Sequence, residues 1–233
     1  MTAPTSASLA ARLAQVRGRI ARACDRAGRD PADISLIAVT KTHPAATVLD
    51  ALQAGLADFG ENRVQEGVAK AAAVQEALNG LPPGLENPTW HLIGHLQTNK
   101  VRAALGTFAI LHSVDSERLL RAISEAAASP VQVFLEVNVA AEPQKFGIDP
   151  AGLAGLVRLA RSLPNIDLRG LMTVAPLVAD PEQTRPIFRE LRGLAQTYGL
   201  SGLSMGMTND FEVAIEEGAT HIRVGRALFG ERE

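Results

Sequence analysis

Short apolar runs alternate with longer helical patterns along the 233-residue chain. The first apolar run, ISLIAVTK at residues 34–41, is flanked by Pro31 and Pro44 and is typical of a buried strand. A helical pattern at residues 8–27 precedes it, and another begins near Pro44 and ends at Gly55. A chain that repeats this unit is restricted to folds in which helices cover a parallel sheet.

The alternation continues through the sequence and predicts eight strands separated by helical segments. The predicted strands lie at residues 34–41, 57–62, 90–96, 108–114, 131–139, 167–174, 200–205 and 220–224. The later predicted helices lie at residues 64–78, 99–105, 116–128, 150–162, 184–198 and 210–217, with a short helix from Arg226. Units of this kind form either an open sheet with helices on both faces or a closed barrel.

The turn after the first predicted strand distinguishes these two architectures. An open sheet that binds a dinucleotide carries a glycine-rich turn at this point. The turn here is KTHPAA, at residues 41–46, and it contains no glycine. Barrels of alternating strands and helices commonly reach about 250 residues as one unit. We therefore predict that residues 1–233 form a single (β/α)8 barrel, also called a TIM barrel, as one domain.

Composition and charge argue against several classes of protein. The formal net charge is −2 and like charges do not cluster, so the basic face that nucleic-acid binding requires is not expected. Cys24 is the only cysteine, which excludes an internal disulfide and a thiolate metal cluster. The amino-terminal segment lacks the apolar stretch of a secretory signal, and no segment approaches the ~18 apolar residues of a membrane span. We expect a cytoplasmic protein that does not bind membranes.

Lys41 ends the first predicted strand, and barrels of this type place their active sites at the carboxyl ends of the strands. Of the other lysines, Lys70 and Lys100 fall in helical patterns and Lys145 falls in a predicted loop. Partial desolvation at the barrel mouth favours the uncharged amine, which is a nucleophile toward an aldehyde. The alternative is a lysine at a strand end that only extends into solvent.

The loops after the last two predicted strands are candidates for a phosphate site, because this fold often binds phosphates there. The first loop reads SMGMTNDFE, residues 204–212, and offers the Ser204 hydroxyl and the bare backbone of Gly206. The second contains Gly225 and precedes the short helix from Arg226, whose free N–H groups would face an anion. Each glycine alone is also typical of an ordinary turn. A lysine opposite a phosphate site is the arrangement that pyridoxal 5′-phosphate requires.

The remaining polar candidates carry weaker signals. His91 and His95 are four residues apart, a spacing that binds zinc when both side chains lie on one helix face. Here the segment is strand-like, a glycine interrupts it, and Leu92 stands where a metalloprotease has glutamate, so no metal site is expected. Glu61 ends the second predicted strand, as either a structural or a catalytic carboxylate. The sequence identifies no partner for the other three histidines, which are His43, His112 and His221.

Six segments of the chain read IAVTKTHP, DFGENRVQE, WHLIGHLQTNK, LRGLMTVAP, LSMGMTNDFEVAIEEGATHIRVG and ALFG. In this order they resemble the pyridoxal phosphate homeostasis proteins, and the resemblance covers nearly the whole chain. It implies a barrel like the amino-terminal domain of alanine racemase, with pyridoxal 5′-phosphate bound as a Schiff base on Lys41. The other implied binding positions are Asn62 beside the ring, Ser204, Met205 and Gly206 at the phosphate, Arg223 at the pyridine nitrogen, and Gly225 and Arg226 completing the phosphate cradle.

Two parts of the chain depart from the commonest pattern of that family. Many relatives have Thr or Ser after the glycine that follows the eighth strand, where this chain has Arg226. The backbone N–H of Arg226 still serves a phosphate, whereas the contact made by its guanidinium is left open. The segment VAAEPQKFGI replaces a version rich in serine and lysine, so a role for Lys145 carries over only weakly.

The resemblance implies a non-enzymatic protein that stores, buffers or delivers pyridoxal phosphate in vitamin B6 homeostasis, without catalytic residues. The rival hypothesis is a pyridoxal phosphate-dependent amino-acid racemase, which needs an acid/base on each face of the substrate. Racemases take the second one from a tyrosine in an additional domain. This chain ends at Glu233, directly after the eighth unit, and its only tyrosine, Tyr198, is expected at the opposite rim. An arginine such as Arg223 at the pyridine nitrogen leaves the ring neutral, which weakens it as an electron sink. Racemases tolerate such a ring, so this feature argues against transaminase-like reactions and does not exclude a racemase.

A third hypothesis is an interaction module that has lost its ligand. The joint presence of the lysine, serine, arginine and two glycines of the candidate site argues against it, namely Lys41, Ser204, Arg223, Gly206 and Gly225. We expect pyridoxal phosphate and apo-forms of pyridoxal phosphate enzymes as partners, neither nucleic acid nor membrane, and a monomer or weak dimer.

Overall fold

Eight parallel strands form the centre of the molecule and close into a barrel in the order in which they occur along the chain. The computed structural model describes residues 8–80 and 85–230, so the two ends of the predicted domain lie outside the described residues. The last strand pairs with the first, with Ser35 opposite His221. The predicted (β/α)8 barrel is therefore confirmed. The strands are β1 Ser35–Val39, β2 Asp58–Glu61, β3 Thr89–Leu92, β4 Ile110–Val114, β5 Val131–Glu136, β6 Ile166–Met172, β7 Gly202–Met207 and β8 His221–Val224.

Helices alternate with these strands, as the periodicity of the sequence predicts. They are α1 Leu9–Ala27, α2 Ala45–Gln53, α3 Val64–Asn79, α4 Val101–Leu105, α5 Glu117–Ala126, α6 Leu153–Ser162, α7 Arg185–Thr197, α8 Phe211–Glu216 and α9 Arg226–Phe229. In the part of the chain that the structure describes, no helix has the length and apolar character needed to cross a membrane.

The first helix precedes β1 and packs against the last two helices. It begins after Ser8, whose hydroxyl accepts a hydrogen bond from the first turn, and ends at Gly28, which takes the left-handed conformation. Arg12 Nε of α1 donates to the carbonyl oxygen of Leu228 in α9 at 2.6 Å. This contact ties the start of the described chain to the short helix that follows β8.

Polar side chains occupy part of the barrel interior. His112 lies on β4 and Ser204 on β7, which are not neighbouring strands, yet His112 Nδ1 and Ser204 Oγ are only 2.8 Å apart. Their contact therefore crosses the inside of the barrel. Phe134 of β5 lies beside them, and its ring stacks on that of His112 with 4.7 Å between centroids.

The seventh strand ends later than the sequence predicts. The predicted strand covers residues 200–205, whereas β7 spans Gly202–Met207, with a register shift in its pairing with β8. The strand passes through Gly206 with φ at 92°, and a Cβ there would lie 2.6 Å from the Cβ of Ala214, so glycine is required. The predicted site residues Ser204, Met205 and Gly206 therefore all lie within the strand, and the loop after it begins later than the predicted start at residue 204.

Candidate functional site

A cavity of about 290 Å³ lies at the carboxyl ends of the strands. Its wall includes Lys41 and Asn62, which follow β1 and β2, and Arg223 near the end of β8. Gly225 and Arg226, at the start of α9, also belong to it. The structure thus brings together five of the eight residues that the sequence predicts for a cofactor site.

The three predicted residues of β7, residues 204–206, are buried and do not contribute to this wall. The turn that follows them, residues 207–210, contributes instead. Asp210 Oδ1 accepts a hydrogen bond from the backbone N–H of Met207 at 2.6 Å, which fixes that turn. The polar residues of this turn directly follow the predicted ones in the sequence. The prediction missed them because it placed the end of the strand too early.

Two hydrogen bonds hold the turn that carries Lys41, one on each side of it. Lys70 Nζ donates to the carbonyl oxygen of Thr40 at 2.6 Å. On the other side, the backbone N–H of Thr42 donates to Glu66 Oε1 at 2.5 Å. Thr42 has a φ of 68°, which is a strained conformation for a β-branched residue. These contacts therefore stabilise an unfavourable backbone path beside Lys41.

Lys70 is also the centre of a buried charged cluster that its position in a helical pattern did not reveal. Its Nζ lies 2.5 Å from Glu61 Oε1 and 3.2 Å from Glu66 Oε1, and its side chain is only 5% exposed. Thr40 Oγ1 donates to the same Glu61 oxygen at 2.7 Å. Burial raises the pKa of Glu61, while the bonds from Lys70 and Thr40 act in the opposite direction. These contacts favour the structural role for Glu61 over the catalytic one.

Arg223 is buried beside the cavity, with 4% of the residue exposed. Its Nη1 donates to Ser204 Oγ at 2.7 Å, and its Nη2 donates to the carbonyl oxygen of Thr173 at 2.9 Å. Burial lowers the pKa of Arg223 to about 10, and Glu136 and Asp210 act in the opposite direction. The side chain is therefore still a cation at neutral pH, and a guanidinium cation can only donate hydrogen bonds.

Two buried histidines connect Ser204 to the opposite end of the barrel. His112 Nδ1 lies 2.8 Å from Ser204 Oγ, and His112 Nε2 lies 3.0 Å from His91 Nδ1. His91 Nε2 in turn lies 3.0 Å from Asp58 Oδ1. Burial holds the pKa of His112 well below its usual value, so this ring is neutral. These partners lie on four different strands, which is why spacing along the sequence identifies none of them.

His91 and His95 lie in different environments, although they are only four residues apart. His91 is inside the barrel, whereas His95 Nδ1 lies 3.4 Å from Asp115 Oδ2 and its ring stacks on Phe146. Within residues 8–80 and 85–230, no group of three or more His, Cys, Asp or Glu side chains is placed to hold a metal ion.

Arg226 lies at the exposed side of the cavity. Its Nη2 donates to Asn209 Oδ1 at 3.3 Å, and both residues are part of the cavity wall. The hydrogen bond connects the start of α9 to the turn after β7. The guanidinium, whose direction the sequence left open, therefore lies along the cavity and does not turn away from it.

The chain is similar to known proteins over almost its full length. Residues 12–233 match the family model of the alanine racemase N-terminal domain. The pyridoxal phosphate homeostasis protein of Aquifex aeolicus is 44% identical, over 95% of this chain and 97% of that protein, and the protein of the same name from Pseudomonas aeruginosa is 43% identical, over 97% and 96%. PipY of Synechococcus elongatus, solved with PLP bound, is 41% identical, with a TM-score of 0.78 over 96% of this chain and 100% of that one. The chain therefore belongs to the alanine racemase N-terminal domain family, among the pyridoxal phosphate homeostasis proteins.

Proposed function

We propose that this protein binds pyridoxal 5′-phosphate and serves its homeostasis by storing, buffering or delivering it. The observation that carries the proposal is a single cavity that contains Lys41, Arg223 and the two turns at residues 207–210 and 225–226. Relatives that share 34–44% of the sequence bear the name of this function, and the similar PipY structure holds PLP.

The residues of the cavity fit the chemistry of that cofactor. The amine of Lys41 would condense with the cofactor aldehyde, so that a C=N bond forms, water leaves and the cofactor is held as a Schiff base. Arg223, which can only donate, matches a pyridine nitrogen, which accepts when it is unprotonated. Asn62 would lie beside the ring. Gly225 allows the backbone after β8 to pass close to β1, since a Cβ there would lie 3.3 Å from the carbonyl oxygen of Val39.

The phosphate would be held by the turn after β7 and by the start of α9. Ser204 Oγ is already bound to Arg223 and His112 inside the barrel, so the contacts that the sequence assigned to residues 204–206 pass to residues 207–210. Arg226 would add a cation on the same side, where a charge-assisted hydrogen bond to a phosphate oxygen is stronger than a neutral one.

The role proposed for the protein is that of a carrier and not of an enzyme. Bound cofactor supplies an electron-withdrawing ring, and a ring that stays neutral opposite Arg223 is a weak electron sink, which argues against transaminase-like reactions. Tyr198 follows α7 and precedes β7, which places it at the amino ends of the strands, away from the cavity. It therefore does not supply the second acid/base that a racemase requires. Apo-forms of pyridoxal phosphate enzymes are the proposed recipients.

The absorption spectrum of the protein with added pyridoxal phosphate tests this function. The parent is expected to develop the yellow band of lysine-bound cofactor, and borohydride reduction is expected to fix the cofactor to Lys41. Lys41→Ala should lose both signals. Lys145→Ala is the matched control, because Lys145 Nζ lies 3.4 Å from the carbonyl oxygen of Val174 in the cavity wall.

The possible outcomes distinguish binding of the cofactor in the cavity from its covalent attachment to Lys41. A parent protein without the band would contradict cofactor binding of this kind. Equal bands in the parent and in Lys41→Ala would preserve the cavity as the binding site but assign the attachment to another lysine. Loss of the band in Lys145→Ala alone would identify that lysine as Lys145.

A further inference from the structure

A continuous row of hydrogen-bonded side chains runs through the barrel interior from the cavity to the opposite end. This polar row consists of Arg223, Ser204, His112, His91 and Asp58. Asp58 is the first residue of β2, at the end away from the cavity, and its side chain is 32% exposed. Ser204 and His112, in the middle of the row, are completely buried. The row thus connects solvent at one end of the barrel to Arg223 at the other.

The chemistry of the Asp58 end favours one direction for the hydrogen bonds in the polar row. A carboxylate at Asp58 only accepts, so His91 Nε2 carries a proton, and a ring with one proton then accepts at Nδ1. His112 then donates from Nε2 to His91 and accepts at Nδ1 from the hydroxyl of Ser204. Ser204 Oγ accepts from Arg223, which only donates. With this placement of protons, the bonds run one way from the cation Arg223 to the carboxylate of Asp58.

We infer that His91 and His112 are positioning residues that hold Ser204 and Arg223 in one hydrogen-bonding orientation and tie that orientation to the charge of Asp58. The inference rests on the proposed function, because the cofactor ring is what Arg223 would meet. If His91 took up a second proton, His112 would have to reverse and donate to Ser204. The Ser204 hydroxyl would then accept from both neighbours and lose its fixed direction.

Other titratable groups also lie near the polar row. His221 of β8 has its ring 5.8 Å from that of His112, and burial, together with nearby His91, lowers the pKa of His221 to about 4. His221 is therefore uncharged at neutral pH. The remaining charged groups that act on members of the row or on His221 are Glu136, Asp210 and Arg169.

A packing role for the two histidines is the alternative, since the His112 ring also fills space beside Phe134. Packing depends on side-chain volume, whereas the polar row depends on donors, acceptors and the charge of Asp58. Asp58→Asn changes the charge and keeps the volume, at a partly exposed position. Asp167→Asn is the matched control, because Asp167 lies at the same end of the barrel on β6 and pairs with Arg169 outside the row.

Nitrogen NMR of cofactor-free protein with isotope-labelled histidine tests the polarity of the row directly. The inference requires that both His91 and His112 carry their ring proton on Nε2. His91→Gln and His112→Gln assign the two sets of signals. A proton on Nδ1 alone, or a charged ring, at either residue would overturn the inference whether or not the protein binds the cofactor.

Titration with pyridoxal phosphate tests the consequence at the cavity. Asp58→Asn is expected to weaken binding about three- to tenfold while attachment to Lys41 persists, and Asp167→Asn is expected to stay within about twofold of the parent. Equal affinities for the two variants would overturn the link between Asp58 and the cavity. A parent that does not bind the cofactor would contradict the proposed function instead, and the NMR result would still decide the polarity of the row.

Discussion

Lys70 Nζ lies 2.5 Å from Glu61 Oε1, and both side chains are almost completely buried. The same ammonium group binds the carbonyl oxygen of Thr40, directly before Lys41. Lys70 thus holds in place the turn that carries Lys41. A buried ion pair adds little net stability compared with apolar side chains, but removal of one partner leaves a charge without compensation. This asymmetry makes the role of Lys70 measurable.

Lys70→Met is expected to lower the free energy of unfolding by about 3 kcal/mol, because Glu61 would remain buried without its cation. Urea unfolding at neutral pH measures the change. Lys100→Met, at the start of α4, is the control and should cost less than about 1 kcal/mol. Adding Glu61→Gln to Lys70→Met should restore part of the loss. Equal losses for Lys70→Met and Lys100→Met would contradict the buried pair.

Arg226→Thr tests whether the guanidinium at the cavity contributes to phosphate binding. Pyridoxal phosphate should bind about tenfold more weakly, because a charge-assisted contact is removed, whereas pyridoxal without its phosphate should bind nearly as before. The affinity for pyridoxal phosphate should also depend less on salt. Absorption titrations at two ionic strengths measure both effects. Arg102→Thr, at an exposed position of α4 outside the cavity wall, is the control, and an equal effect on both ligands would exclude a phosphate contact.

The barrel and the position of Lys41 could be predicted from the sequence because both depend on local pattern. Strands of a closed parallel sheet are apolar runs, and their carboxyl ends meet at one rim. A lysine that ends the first run therefore had to lie at that rim. The role of Ser204 at the phosphate stays a prediction, but its contacts inside the barrel could not be predicted from the sequence. The strand β7 continues to Met207, with a register shift in its pairing with β8 and with Gly206 packed closely against α8, and local sequence reports neither contact.

The polar row could not be predicted from the sequence for the same physical reason. Its members come from five strands, and which side chains meet inside a barrel depends on how the sheet closes and staggers. The cluster around Lys70 is an intermediate case. Glu66 and Lys70 are four residues apart on α3, a spacing that predicts an ion pair. No local feature of the sequence indicates that Lys70 also pairs with Glu61 or that this second pair is buried.

Glu136→Gln tests the cost of a buried carboxyl group at the end of β5. Burial and nearby Asp115 raise the pKa of Glu136 to about 7 from an ordinary value of 4.5, while Arg223 acts in the opposite direction. Between these pH values the unfolded chain loses the proton and the folded chain keeps it, so the contribution of Glu136 to stability falls as pH rises. The variant should be more stable than the parent by roughly 3 kcal/mol above pH ~7, with the difference vanishing below pH ~4.5.

Urea unfolding of the parent and Glu136→Gln across this pH range measures the difference. Glu125→Gln, at an exposed position of α5, is the control and should show no such trend. A gain in stability that is the same at both ends of the pH range would assign the effect to packing and not to ionisation.

The distinction between carrier and racemase leads to the last prediction. Tyr198 lies at the amino ends of the strands, so it does not act at the cavity as a second proton donor of the racemase type, and racemisation of alanine by the loaded protein should stay well below about 1 per second. The same loaded protein should restore activity to the apo-form of a pyridoxal phosphate enzyme. Chiral chromatography measures the first and recovered enzyme activity the second, with Lys41→Ala treated identically as the control. Racemisation at ordinary enzyme rates that is lost in Lys41→Ala would contradict the carrier and identify an enzyme that uses a different acid/base.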